Sequence, residues 1–225
     1  MEIFTDVLLS SPLFSGITPD EQKILCKTLS ATTRKFSKNE FILHSGDLVT
    51  KMGFLLSGSA ILLKEDFWGN RSILTKLEPG DIFAETYACL PGTSLGVSVL
   101  ANETSEVLFL DVRHLLTTQI RDSLACTKLL QNLLVATARK NLLLNEKMTH
   151  LSRRTTREKL LSYLSAQSMR HQTAEFDIPF NRQQLADYLL VDRSAMSAEL
   201  CKMRDEGLLE FHKNHFILSD NSDII

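Results

Sequence analysis

The chain has 225 residues, enough for one large or two modest domains, and 44% of them are hydrophobic, which suits a protein with a substantial core. Its formal net charge is −2, so no overall basic excess is available to hold nucleic acid, and any such affinity must come from clustered cations. No run reaches the roughly 18 uninterrupted apolar residues of a membrane span. The leucine-rich stretch 129–144 is broken by Gln131, Asn132, Arg139, Lys140 and Asn141. Residues 1–11 carry acids where a cleavable signal peptide has a basic start, so no signal is expected. The cysteines Cys26, Cys89, Cys126 and Cys201 form no CxxC, which argues against a local zinc or iron–sulfur site. Dispersed thiols without a signal point to a reducing cytoplasm, and each reads as a small buried hydrophobe.

In chain order, the first predicted element is a helix over 18–29. Thr18 can cap it, Pro19 suits its first turn, and Glu21 stands three residues after the cap. Between Phe36 and Asp111 short runs of Ile, Val, Phe and Leu alternate with turn signals. These are Ser45-Gly46-Asp47, Ser57-Gly58-Ser59, Trp68-Gly69-Asn70, Pro79-Gly80-Asp81 and Pro91-Gly92. Turns roughly every 10 to 12 residues mean a compact all-β unit.

From Asp111 the hydrophobic period changes. Residues 114–119 read as a short helix and 123 to about 149 as a long one. In the long helix Leu130, Leu134, Thr137, Asn141, Leu144, Met148 and Leu151 step by four and three, the spacing of a coiled-coil seam. A helix leaving a small β unit has more apolar surface than that unit can cover, so the seam predicts a homodimer. The alternative is a helix packed on its own β domain. Asn141 at a seam position can help set register.

Residues 151–154 form a joint. Ser152 or Thr155 can cap the next helix, which carries Leu160, Leu161 and Leu164 on one face. A polar loop over 167–173 then leads to a short strand at 176–178. Two short amphipathic helices joined by a tight turn fill 181–209, and a hairpin, or wing, follows from Leu209-Glu210-Phe211 and Phe216-Ile217-Leu218. In the first of the two helices Leu185, Ala186 and Leu189 face inward. In the second, Met196, Leu200 and Met203 form the buried stripe, and Asp192 is the N-cap. That leaves Arg193, Ser194, Ser197 and Ala198 outward on its first two turns. An arginine can grip guanine O6 and N7 with two prongs, and serine hydroxyls can meet bases or phosphates. From Leu151 onward the chain carries 10 Lys and Arg against 11 Asp and Glu, so its cations matter by position. Arg153, Arg154, Arg157 and Lys159 lie together, and Arg182 and Arg193 sit near helix starts.

These residues carry a resemblance over nearly the whole chain. Segments RTTREKLLSYL (154–164), NRQQLADYL (181–189) and VDRSAMSAELCKMRDEGLL (191–209) resemble the C-terminal domain of the Crp/Fnr family of bacterial transcription regulators. Gly46-Asp47, Gly58, Gly69 and LEPGDIFAE (77–85) resemble the family's β unit. The resemblance implies an α+β protein: an N-terminal β-roll sensor (a double-stranded β-helix, cyclic-nucleotide-binding-like) over 1–122, a long dimerisation helix over 123–150, and a C-terminal winged helix-turn-helix DNA-binding domain over 151–225. It implies that Arg182 helps anchor the backbone and that Arg193, Ser194 and Ser197 face the bases. The implied partners are double-stranded DNA with a two-fold symmetric site, a second copy of the chain, and RNA polymerase. Two positions depart from the family pattern. Leu190 stands where Gly or Asn usually takes a left-handed turn, at a cost of about 1 kcal/mol if leucine adopts it. Ala198 stands where related regulators often carry Arg, which removes a contact.

In cyclic-nucleotide-binding relatives a glutamate meets the ribose and a downstream arginine pairs with the cyclic phosphate. Glu85 matches the glutamate, but residues 92–98, GTSLGVS, carry no basic group. A buried phosphodiester needs a charged donor. Cyclic AMP or cyclic GMP used in the usual way is therefore not expected, and Glu85 can be structural, for example at a helix N-terminus. His44, His114 and His150 are haem-ligand candidates only by element, and no cofactor or metal is expected. What remains is a small uncharged or aromatic effector near Glu85, Thr86, Tyr87, Thr93 and Ser94, between the β-roll and the long helix, a redox-active thiol, or no ligand. No Gly-rich phosphate loop, HExxH or GxSxG occurs, so an enzyme is not expected. A sensor whose winged helix docks a partner protein in place of DNA is the alternative to a DNA reader.

Overall fold

The computed structural model describes residues 5–65, 68, 71–90, 92–116 and 124–219. Its contacts divide the chain into two compact units, Met1–Lys140 and Asn141–Ile225. The division falls inside the long helix.

The first unit opens with α1 (Thr5–Ser10), a short 3-10 turn (Pro12–Phe14) and α2 (Pro19–Thr28). The expected capping box holds α2: the Glu21 N–H donates to Thr18 Oγ1 at 3.3 Å and the Thr18 N–H donates to Glu21 Oε2 at 2.8 Å. Strands β1 (Thr32–Phe36), β2 (Phe41–Leu43), β3 (Met52–Ser57), β4 (Ala60–Glu65), β5 (Arg71–Leu77) and β6 (Ile82–Phe83) follow. Then come α3 (Glu85–Cys89), β7 (Ser98–Ala101), β8 (Ser105–Leu110) and α4 (Arg113–Leu116). They form two antiparallel four-stranded sheets, ordered β1-β8-β3-β6 and β2-β7-β4-β5. The β reading of this region holds except for one short helix, α3, within it. Of the expected turns, Gly69, Asn70 and Pro91 lie outside the described residues. Residues 117–119 of the expected short helix also lie outside them, and so does Ser123.

In the sheet β1-β8-β3-β6 the central strands β3 and β8 are buried on both faces, whereas β1 is exposed up to Phe36. Leu55, Val107 and Phe109 join Phe36, Ala60, Phe83 and Val99 in one cluster. Their neighbours Phe54, Leu56, Leu108 and Leu110 point the other way, into a second cluster with Phe14, Leu25, Leu29, Leu129 and Leu133. β3 therefore reads MGFLLS, with no polar alternation, because neither of its faces meets water. The turn after it needs Gly58. Its φ is +79°, and a Cβ there would lie 2.3 Å from the Thr104 carbonyl oxygen.

Helix α5 (Leu124–Leu151) packs one face on its own unit and leaves another exposed. Ala125, Cys126, Leu129 and Leu133 are buried in the unit's own second cluster. Leu130, Leu134, Asn141, Leu144 and Met148, the expected seam, are exposed.

The second unit continues with α6 (Thr156–His171), β9 (Glu175–Asp177), α7 (Arg182–Leu189), α8 (Arg193–Asp205), β10 (Leu209–His212) and β11 (His215–Leu218). The three strands form a sheet ordered β10-β11-β9, with β10 and β11 as the wing hairpin. Of the two possible caps, Thr155 starts α6, in a capping box with Glu158. Two expectations are corrected. Leu161 is 42% exposed, because Tyr163 and Gln167 share the buried face with Leu160 and Leu164 in its place. The expected polar loop over 167–173 is mostly the last turn of α6, which ends at Gln172 in a left-handed cap (φ 55°). Burial of Gln167 on the helix face overrides the loop-like composition. The cysteine reading is corrected too: Cys126 is buried, Cys26 and Cys89 are half-buried, and Cys201 is exposed on α8.

Candidate nucleic-acid interface

Two capped helices build the site. Asn181 starts α7 with a second capping box: the Gln184 N–H donates to Asn181 Oδ1 at 2.9 Å and the Asn181 N–H donates to Gln184 Oε1 at 3.0 Å. Asp192 starts α8 by accepting the Ala195 N–H on Oδ1 at 2.8 Å, and its carboxylate favours the positive helix end. Met196, Leu200 and Met203 of α8 and Leu185, Ala186 and Leu189 of α7 are all wholly buried, and the two helices pack on each other. This stripe fixes which face of α8 is outward. Arg193, Ser194 and Ala198 are exposed and Ser197 is half-buried, so these residues share the outer side of the first two turns.

The turn between the helices is strained as the Leu190 position implied. Leu190 sits at φ 52°, ψ 57°, in the left-handed region. Two features hold it there. The Val191 N–H donates to the Ala186 carbonyl at 3.0 Å, and Lys159 Nζ donates to the carbonyl oxygens of Leu189 at 3.1 Å and Leu190 at 3.3 Å. A cation at the C-terminus of α7 also suits its dipole.

That use of Lys159 changes the account of the basic cluster. Lys159 caps a helix, and Arg157 is engaged by Glu199 (Nη1 to Oε1, 3.4 Å) and by both carboxylate oxygens of Glu206 (Nη1 to Oε1, 3.1 Å; Nη2 to Oε2). Half of the expected cluster is thus turned inward on the unit's own groups. Arg153 and Arg154 are exposed. Arg182 is half-buried. Its guanidinium lies over the rings of Phe211 (4.7 Å) and Phe216 (5.0 Å) of the wing. Its Nη2 is buried without a hydrogen-bond partner among the described residues, and burial pulls its pKa down. In this geometry Arg182 clamps the wing to α7.

The residues expected to lie near an effector are in the first unit. Glu85 is buried at the start of α3, and Lys140 Nζ donates to its Oε1 at 2.8 Å and to the Ile82 carbonyl at 2.5 Å. The carboxylate is therefore held by a cation from α5 as well as by its place at a helix start. Tyr87 Oη accepts the Gly96 N–H at 3.1 Å, which ties α3 to the following loop. Leu95 of that loop is buried, while Thr86, Thr93 and Ser94 are exposed. Sequence reasoning missed Lys140, treating it as a polar break in an apolar run, and missed the roles of Arg157 and Lys159. Each depends on a partner distant in sequence.

At the joint, Lys147 lies over the Tyr188 ring at 4.2 Å, and His150 Nδ1 is 2.8 Å from Ser162 Oγ. Burial pushes the Lys147 pKa down to about 8 and that of His150 below its usual value, and raises Tyr188 to about 12. Among the described residues no group of three or more His, Cys, Asp or Glu could hold a metal ion, and no helix is long and apolar enough to cross a membrane.

Residues 33–120 match the family model described as a cyclic nucleotide-binding domain, and residues 158–222 match the Crp-like helix-turn-helix domain. Several solved structures share the fold. A CooA mutant from Carboxydothermus hydrogenoformans is 18% identical with a TM-score of 0.73, covering 94% of this chain and 92% of that one. The c-di-GMP responsive global regulator CLP of Xanthomonas campestris is 16% identical with a TM-score of 0.70, covering 89% and 99%. FixK2 of Bradyrhizobium japonicum is 21% identical with a TM-score of 0.64, covering 84% and 93%. No curated protein matches the chain.

Proposed function

Since the chain belongs to the Crp/Fnr family of DNA-binding transcription regulators, we propose that it acts as a homodimer reading a two-fold symmetric site, under an effector other than cyclic AMP. The observation that carries the DNA-reading part is the outer face of α8. Arg193, Ser194 and Ser197 stand on its first two turns, the part of a recognition helix that meets base edges in the major groove. The exposed stripe of Leu130, Leu134, Leu144 and Met148 supports pairing through α5, with Asn141 in the same stripe. Two recognition helices paired in this way would read half-sites about 34–36 Å apart.

The absence of Lys or Arg from residues 92–98 supports an effector without a cyclic phosphate, and so does the engagement of Glu85 by Lys140. An uncharged or aromatic molecule bound near Glu85, Thr86, Tyr87, Thr93 and Ser94 would act by biasing a two-state equilibrium. Family membership supports RNA polymerase as the further partner and the cytoplasm as the place of work.

The test is selection of bound fragments from random DNA by the purified protein, repeated with Arg193→Ala. A two-fold symmetric consensus is expected. Arg193→Ala should lose roughly 1–3 kcal/mol of discrimination at one position of each half-site while the dimer stays intact. Unchanged sequence preference in the variant would assign the outer face of α8 to a protein partner.

A further inference from the structure

Arg157 sits in the first turn of α6, two residues after the cap Thr155. It reaches α8 at two places, Glu199 in the middle and Glu206 at the C-cap. These glutamates are seven residues apart, so they lie on one flank of the helix about 10 Å apart along its axis. At 100° per residue that flank is nearly opposite the side carrying Arg193, Ser194, Ser197 and Ala198. Met196, Leu200 and Met203 bury a third side. The apolar stripe resists lifting of α8 but resists rolling less well, because buried leucine and methionine contacts are non-directional. The fork of Arg157, bidentate on Glu206 and also touching Glu199, is directional. A roll of about 20° moves a side chain about 5 Å from the axis by about 2 Å, enough to break a base contact.

We propose that Arg157 is a positioning residue for DNA reading, which sets the roll of the recognition helix through Glu199 and Glu206 without touching DNA. The proposal rests on the DNA-reading role of α8. It reassigns a cation that its place in a basic cluster would give to a phosphate.

The experiment measures DNA affinity of the full-length protein against salt concentration, on the selected site and on unrelated DNA. Wild type, Arg157→Ala, Arg157→Lys, Glu199→Gln with Glu206→Gln, and the combination of the last with Arg157→Ala are compared. A positioning role predicts that Arg157→Ala weakens specific binding roughly three- to tenfold and leaves non-specific binding and the salt slope unchanged. The near-isosteric glutamine pair should reproduce this loss, and the combined variant should be no worse than either alone. Arg157→Lys should not rescue it, because an ammonium cannot form the fork. A salt slope lower by about one unit in Arg157→Ala, together with tighter binding by the glutamine pair, would make Arg157 a phosphate contact and overturn the proposal. Equal specific affinity in all variants would overturn it as well, leaving an ion pair without effect. Failure of wild type to bind any DNA would instead remove the reading on which the proposal rests.

Discussion

Replacing Leu134 with alanine tests the proposed dimer most directly. In the single chain Leu134 is 70% exposed, beside Leu130 at 37%, Leu144 at 51% and Met148 at 69% on the same stripe. Burying a whole leucine side chain contributes about 1.5–3 kcal/mol relative to exposure, so covering the exposed part of Leu134 contributes roughly 1.5 kcal/mol per protomer. A symmetric seam places two copies of the residue in the interface. Leu134→Ala should then weaken association by roughly 3 kcal/mol, on the order of a hundredfold in the dimer dissociation constant. Sedimentation over a concentration series reads that constant directly. Leu142→Ala is the matched control. Leu142 is 69% exposed but lies off the stripe, about 100° around the helix from Asn141. The reasoning fails if Leu134→Ala shifts dimerisation by less than about threefold, or if Leu142→Ala shifts it equally.

Three further outcomes follow from the same geometry. The second unit should grow more stable as pH rises from about 8 to 10. In that window folded Lys147 has lost its proton while the unfolded lysine keeps it, so the unfolded state binds more protons. Above about 10 the raised Tyr188 reverses the slope, and below the usual histidine range His150 lowers stability as acid is added. Thermal melts of the full chain at several pH values check this, and Lys147→Met should flatten the rise between 8 and 10. Lys140→Met leaves the buried Glu85 carboxylate without its cation and should destabilise the first unit by roughly 1–3 kcal/mol, with Glu85→Gln restoring much of the loss; urea titration of both variants decides it. Gly58→Ala should destabilise the first unit as well, by on the order of 1 kcal/mol from the left-handed φ alone and more from the contact with Thr104, as read by its melting temperature.

What the sequence determined by itself is local. The caps at Thr18 and Asp192, the stripe Met196-Leu200-Met203, the outward placement of Arg193 and Ser194, and the hairpin after Leu209 all depend on groups within a few residues of one another. Their geometry is set by helix or strand period. Only the tertiary structure decided which distant partner each charged group takes. Lys140 meets Glu85 across 55 residues and Arg157 meets Glu206 across 49, and neither spacing carries a signal. It also decided that β3 and β8 are buried on both faces, which erases the alternation that marks a half-exposed strand. The same holds in α6, where Tyr163 displaces Leu161 from the core. Period limits a helix to a few possible faces, but the neighbour packed against it determines which one is buried.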